Sequence, residues 1–243
     1  MGGCASKSSI DVNTNPDSRP AQKQPAKNAP PSDSDEVQII PTTEEFTGRA
    51  LTKAELDKIF EQARTHHSFD PNFKMTDADF QRIYDELKWG PTAFNCSPAR
   101  FFFVRSPENK EKLLSCLMEG NVRQTSEASA TIIVAYDPDF ASKFNILSPY
   151  FDAATVFREN PEHTLPMAIL NTRLEGGYLI VAARALGFDV GPMTGYNREK
   201  LDSLFFEGTP YKSEFLLNIG KGASEKLYPR APRLPMEQGA AVL

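Results

Sequence analysis

Four short stretches of this chain gather side chains suited to holding a ligand, and none of them gathers what is needed to attack one. "ARTHHSF", residues 63–69, closes an amphipathic run with Arg64, His66 and His67. Such a group of guanidinium and imidazole side chains can grip a phosphate; basic residues are equally what the negative end of a helix favours. "KWGPTAFNCSPAR", residues 88–100, offers Pro91, Thr92 and Asn95 either as the wall of a site for a planar, hydrogen-bonding ligand or as an ordinary turn. "GPMTGYN", residues 191–197, has glycines that let backbone approach a ligand closely and amides directed along a helix entrance. Its spacing is not that of a G-x-G-x-x-G dinucleotide fingerprint. "YPRAPRL" sets Arg230 and Arg233 three apart near the C-terminus, a phosphate clamp or a charged tail.

Side-chain catalysis finds little support. Cys96 has no base placed by sequence to activate it and reads as a small packed thiol. Three histidines and three cysteines, Cys4, Cys96 and Cys116, show no metal-ligand spacing, and there is neither a G-x-S-x-G elbow nor a P-loop.

The elements that must position these stretches are legible from periodicity. Thr52 and Glu55 form a capping box ahead of Leu56, Ile59, Phe60 and Ala63, which predicts a first helix with "ARTHHSF" at its end. Thr76 and Asp79 repeat the signal ahead of Phe80, Ile83, Tyr84 and Leu87, and Gly90-Pro91 stops that helix. "RFFFVR" (100–105) predicts a buried strand, Ser106-Pro107 starts a short helix through Met118, and "SATIIVAYD" (129–137) predicts a second strand. The stretch up to Leu165 is poorly patterned and predicts a surface excursion around a pocket. Leu165–Leu186 is apolar almost all round and ends at Gly187, as a core or subunit-interface helix would. Phe188–Val190, a helix capped by Asn197, and the strand "SEFLLNIGKG" complete an α+β sandwich, one sheet covered by helices.

Composition sets the outer limits. The 243 residues carry a net charge of -5, which argues against general attraction to nucleic acid. No apolar run reaches the length of a membrane-spanning helix. From Met1 to Pro41 the large aliphatic residues are Ile10, Val12, Val37, Ile39 and Ile40, and no aromatic residue occurs; residues 1–45 are therefore read as a disordered tail and 46–243 as the folded domain. Within that tail Gly2 and Ser6 fit an N-myristoylation pattern and Cys4 a neighbouring palmitoylation site, which would hold a cytoplasmic protein on the cytoplasmic face of a membrane.

Arg64-Thr-His, "KWGPT…NCSPARF", Gly120-Asn121, "GPMTGY" and "NIGKG" occur in an order and at intervals that resemble the FMN-dependent nitroreductase family, and within it most the malonic semialdehyde reductase subgroup. The resemblance runs from about residue 50 to the end. It implies a nitroreductase-like sandwich with a mainly antiparallel central sheet and a long hydrophobic dimer helix, assembled as a homodimer with FMN at its interface. It further implies that Arg64, His66 and His67 contact the flavin's phosphate and ring edge, that Arg230 and Arg233 complete the phosphate site, and that Pro91, Thr92 and Asn95 come from the partner subunit. Asn121 would bind the pyrimidine edge, and Thr194 with Gly195 would lie where hydride arrives and leaves. The implied activity is ping-pong oxidation of NAD(P)H with reduction of malonic semialdehyde or a related aldehyde. Alternatives are a nitro or quinone reductase of the same fold, or a membrane-tethered flavin-binding interaction protein without turnover. An arginine or lysine at the pocket mouth, with Arg123 and Lys212 as candidates, would select the anionic aldehyde. The sequence departs from the subgroup at Ala93-Phe94 and at His67-Ser68-Phe69.

Overall fold

The computed structural model describes residues 50–243; the expectations for the tail, with Gly2 and Cys4, lie outside the described residues. The folded part runs α1 (Lys53–Ile59), α2 (Asp77–Leu87), β1 (Ala99–Val104), α3 (Pro107–Leu114), α4 (Glu119–Glu127), β2 (Ala130–Tyr136), α5 (Phe144–Leu147), α6 (Ala153–Glu159), α7 (Thr164–Ala185), β3 (Asp189–Met193), α8 (Arg198–Phe206), β4 (Lys212–Gly220) and α9 (Met236–Gly239). The four strands form one sheet, order β1-β2-β4-β3, with every neighbour antiparallel. This is the α+β architecture expected from the strand and helix spacing.

Period-two alternation divides the sheet between two cores. On one face Ile132 and Val134 of β2 with Leu217 and Ile219 of β4 pack against Phe80, Ile83 and Leu87 of α2 and Leu179, Ala182 and Ala183 of α7. On the other, Ile133 and Leu216 meet Leu113 of α3 and Leu201 and Phe206 of α8. The helix starts behave as their sequences require: both halves of the capping box form at Thr52/Glu55 and at Thr76/Asp79, and Asn197 accepts from Lys200 N at 2.9 Å.

Several expectations need correction. The first helix is shorter than its apolar spacing suggests. Phe60 is 60% exposed, and after α1 the chain pairs with the sheet edge instead, Thr65 bridging Val190 and His66 N donating to Val190 O at 3.0 Å. Tertiary pairing has overridden local periodicity. "ARTHHSF" therefore lies in an extended connection beyond the helix. The strand "RFFFVR" is an edge strand, and its three phenylalanines are only partly buried. A separate helix, α4, stands before β2 and carries Asn121; its sequence, EGNVRQTSE, has too few apolar residues to announce itself. The supposed surface excursion is helical and has its own core, in which Phe140, Phe144 and Phe157 pack with centroids 5.0–5.8 Å apart.

Candidate functional site

The extended segment 64–67 and the C-terminal segment fasten to each other. Arg64 Nη2 donates to Tyr228 O, and Arg230 Nη2 donates to Glu61 O and, at 3.0 Å, to Ala63 O. Between them is a cavity of about 320 Å³ lined by Arg64, His67, Arg184, Arg230 and Arg233, with Tyr228 at its side, and no carboxylate among its lining residues. Arg184, from the end of α7, escaped the sequence reading because helix C-termini favour basic residues anyway. Its guanidinium is held below its ordinary value by burial and by the like charge of Arg230, and its Nε is buried without a partner. Four guanidiniums facing one cleft repel one another until an anion enters.

From this cleft a line of hydrogen bonds leads to the 194–195 loop. His67 Nδ1 and Gln124 Oε1 are 3.1 Å apart, Gln124 Nε2 donates to Asn121 Oδ1 at 2.6 Å, and Asn121 Nδ2 donates to Gly195 O at 2.9 Å. A Cβ at Gly195 would lie 2.5 Å from Asn121 Nδ2 and would push that amide aside. Gln124, buried on α4, also escaped the sequence reading, since a lone glutamine carries no motif. The structure thus places Arg64, His67, Arg230 and Arg233 around one cleft and links His67 through the buried Gln124 to Asn121 and Gly195, next to the exposed Thr194.

His66 departs from the expected role. It is buried, 4% exposed, with its Nε2 3.3 Å from Asp189 Oδ1, while Asp189 Oδ2 accepts from Gly222 N at 2.7 Å. Burial works against the Asp189 carboxylate, but the His66 and Gly222 hydrogen bonds outweigh it and hold its pKa below the usual range. Because its ring turns inward against the Gly222 backbone, His66 locks the 64–67 segment in place and does not line the cleft.

Pro91, Thr92 and Asn95 lie in a different part of the chain from the arginine cleft. Pro91 O accepts from Tyr178 OH at 2.9 Å, Thr92 Oγ1 accepts from Ser97 N at 3.2 Å, and Asn95 Nδ2 donates to Leu147 O at 2.7 Å. Phe94, Asn95 and Ser97 adopt positive φ values of 56°, 55° and 34°, and Phe94, stacked on Phe151, is 43% exposed. Backbone strain at bulky residues is concentrated where the surroundings impose a shape. Beside this loop, Glu175 of α7 forms part of a cavity of about 500 Å³. It is 6% exposed and accepts from Ala99 N at 3.0 Å, and burial raises its pKa to about 7. Cys96 is fully buried with its thiol pushed up to about 11, chiefly by burial, as suits a packed side chain. Among the described residues there is no group of three His, Cys, Asp or Glu placed to hold a metal ion, and no helix is long and apolar enough to cross a membrane.

A cleft lined by four arginines is suited to hold an anionic group. Residues 60–221 match the model of the nitroreductase family, and the chain belongs to that family. It is thereby an oxidoreductase of the flavin-dependent class. Solved structures agree on the fold. A candidate nitroreductase of Bacillus subtilis, ydfN, superposes with a TM-score of 0.70 at 21% identity, over 79% of this chain and 100% of its own. A candidate nitroreductase of Exiguobacterium sibiricum, solved in complex with FMN, gives 0.69 at 23% identity over 80% and 99%. A candidate NAD(P)H:FMN oxidoreductase of Staphylococcus epidermidis gives 0.68 at 22% identity over 77% and 95%.

Proposed function

We propose that this protein is a homodimeric, FMN-dependent NAD(P)H oxidoreductase that reduces a small electrophilic acceptor, malonic semialdehyde or a related short aldehyde. The observation that carries the FMN reading is the acid-free cleft of four arginines joined by hydrogen bonds to a glycine-bearing loop. Arg64, Arg184, Arg230 and Arg233 would hold the phosphate. His67, Gln124 and Asn121 would present donors and acceptors to the ring edge, and Thr194 with Gly195 would border its reacting side. FMN, when bound, would supply the two-electron chemistry that couples oxidation of NAD(P)H to reduction of the acceptor. The protein's part is to orient both reactants on one face and to keep that face open for each in turn, which gives ping-pong kinetics.

Pro91, Thr92 and Asn95 are assigned to the partner's site. In support, they lie outside the arginine cleft of their own chain, and α7 carries an exposed apolar stripe, Leu170, Leu174 and Val181, of the kind a second copy covers. One observation favours nitro or quinone acceptors as the second reading: the exposed Phe94 ring lies 5.9 Å from Phe151 and 15° from parallel to it, an arrangement suited to planar substrates. Acylation at Gly2 and Cys4 is proposed to attach the enzyme to the cytoplasmic face of a membrane; replacing Gly2 should then empty the membrane fraction.

Purified protein should be yellow and should bleach with NADPH under nitrogen, recovering its colour when malonic semialdehyde is added. A yellow protein that NADPH cannot bleach would refute the oxidoreductase reading. One that bleaches but recovers only with nitroaromatics or quinones would replace the aldehyde by the second reading.

A further inference from the structure

A short anionic aldehyde needs a cation at the reacting end of the site. The two suggested by sequence are poorly placed. Arg123 is engaged with Glu127 at 3.2 Å on α4, and Lys212 is an exposed residue at the start of β4; neither lines the cavity that contains Thr194. That cavity, about 460 Å³, is lined by Arg173, Pro192, Met193, Thr194, Glu214 and Phe215. Arg173 is its cation, and its side chain is 64% exposed.

Its guanidinium is already aimed. Nε and Nη2 both reach Glu214 Oε1 at 2.7 Å, which fixes one edge of the fork, while Nη1 has no partner among the described residues. Glu214 is 7% exposed, and its second oxygen takes Arg198 Nη1 at 3.1 Å. Arg198 in turn is influenced by Asp202, whose Oδ1 accepts from Ser213 N at 2.9 Å. The four charges balance, but they are not equally presented. Glu214 lines the cavity too, but it is 7% exposed and each of its carboxylate oxygens is engaged by an arginine, so the charge most open to an entering molecule is the free edge of Arg173.

The helix places Arg173 in register with the arginine cleft. Arg173 and Arg184 are eleven residues apart on α7, which amounts to about three turns and about 16 Å. They therefore project from one stripe of the helix, one into each cavity. A ligand whose phosphate lies against Arg184 and whose reactive ring reaches Thr194 would run alongside this stripe and end near Arg173.

We propose that Arg173, steadied by Glu214, receives the carboxylate of the acceptor and so selects short aldehydes that bear a carboxylate over uncharged ones. This rests on the placement of the reacting end at Thr194 and Gly195. The test uses the FMN-loaded protein and its Arg173→Gln variant. Because that variant leaves buried Glu214 with Arg198 alone, an Arg173→Gln/Glu214→Gln variant, which removes the paired charge as well, is measured beside it. Malonate serves as a redox-inert probe in calorimetry, and kcat/KM is compared for malonic semialdehyde and propanal. The expected result is malonate binding weakened at least tenfold in both variants, with the malonic semialdehyde to propanal ratio of kcat/KM falling roughly tenfold to a hundredfold. Folded, fully FMN-loaded variants that keep both malonate affinity and the ratio would overturn the assignment of Arg173 alone. A wild-type protein that takes up no FMN would overturn the reading of the site, and this inference with it.

Discussion

Glu175 gives the most quantitative prediction. It sits within α7, 6% exposed, with Ala99 N donating to one carboxylate oxygen, and burial raises its pKa to about 7 against an ordinary value of 4.5. Arg100 and the Ala99 amide act in the opposite direction but do not prevail. An acid whose folded pKa lies above its unfolded one binds its proton more tightly in the native state. Its contribution is therefore fully present below about pH 4.5 and is lost as pH rises through about 7. The loss amounts to about 3 kcal/mol by pH 8.5. Glu175→Gln removes the ionisation and keeps a carbonyl oxygen for Ala99 N. The variant should match the wild type at pH 5 to within about 1 kcal/mol and exceed it at pH 8.5 by about 2–3 kcal/mol. For a domain of this size that difference raises Tm by about 6 °C or more. Thermal denaturation followed by circular dichroism from pH 5 to 8.5 provides the comparison. Parallel Tm curves for the two proteins across that range would show that Glu175 does not titrate as a buried acid.

Three further outcomes are expected. Arg230→Ala with Arg233→Ala should release FMN while the far-ultraviolet circular dichroism stays native, since both side chains are exposed; full flavin occupancy would remove them from the phosphate site. Gly222→Ala would set a Cβ 2.0–2.4 Å from the buried His66 ring, costing about 1–3 kcal/mol and weakening FMN through the displaced 64–67 segment; native-like denaturation and flavin affinity would contradict the locking role of His66. Leu174→Asp, on the exposed stripe of α7, should shift the protein from dimer to monomer in sedimentation velocity, and an unchanged dimer would move the interface elsewhere.

Much of the frame was readable because it rests on local signals. Both capping boxes, the Gly90-Pro91 stop, the predominantly apolar α7 and the continuous hydrophobic β2 name their elements without help from distant residues. What local pattern did not show was set by tertiary contact. The first helix gives way to an edge bridge with Val190, and residues 140–163 fold around Phe140, Phe144 and Phe157, whose partners are not periodic. The site divides the same way. Arg64, Arg230 and Arg233 stand out by motif and line one cleft, while Asn121 and Gly195 form a separate hydrogen-bonded pair. His66 looked like a ligand by its type and turned inward. Arg184, Gln124 and Arg173 each have a commonplace reason to be polar, and their placement, Arg184 and Arg173 in separate cavities and Gln124 buried on α4, is invisible along the chain.

The most direct test is a titration of flavin-free protein with FMN and with riboflavin, which lacks the phosphate, read by quenching of flavin fluorescence. If the arginine cleft holds the phosphate, FMN binds at one per chain and at least a hundredfold more tightly than riboflavin, a difference of about 3 kcal/mol or more. Equal affinity for the two flavins, or binding of neither, would contradict it.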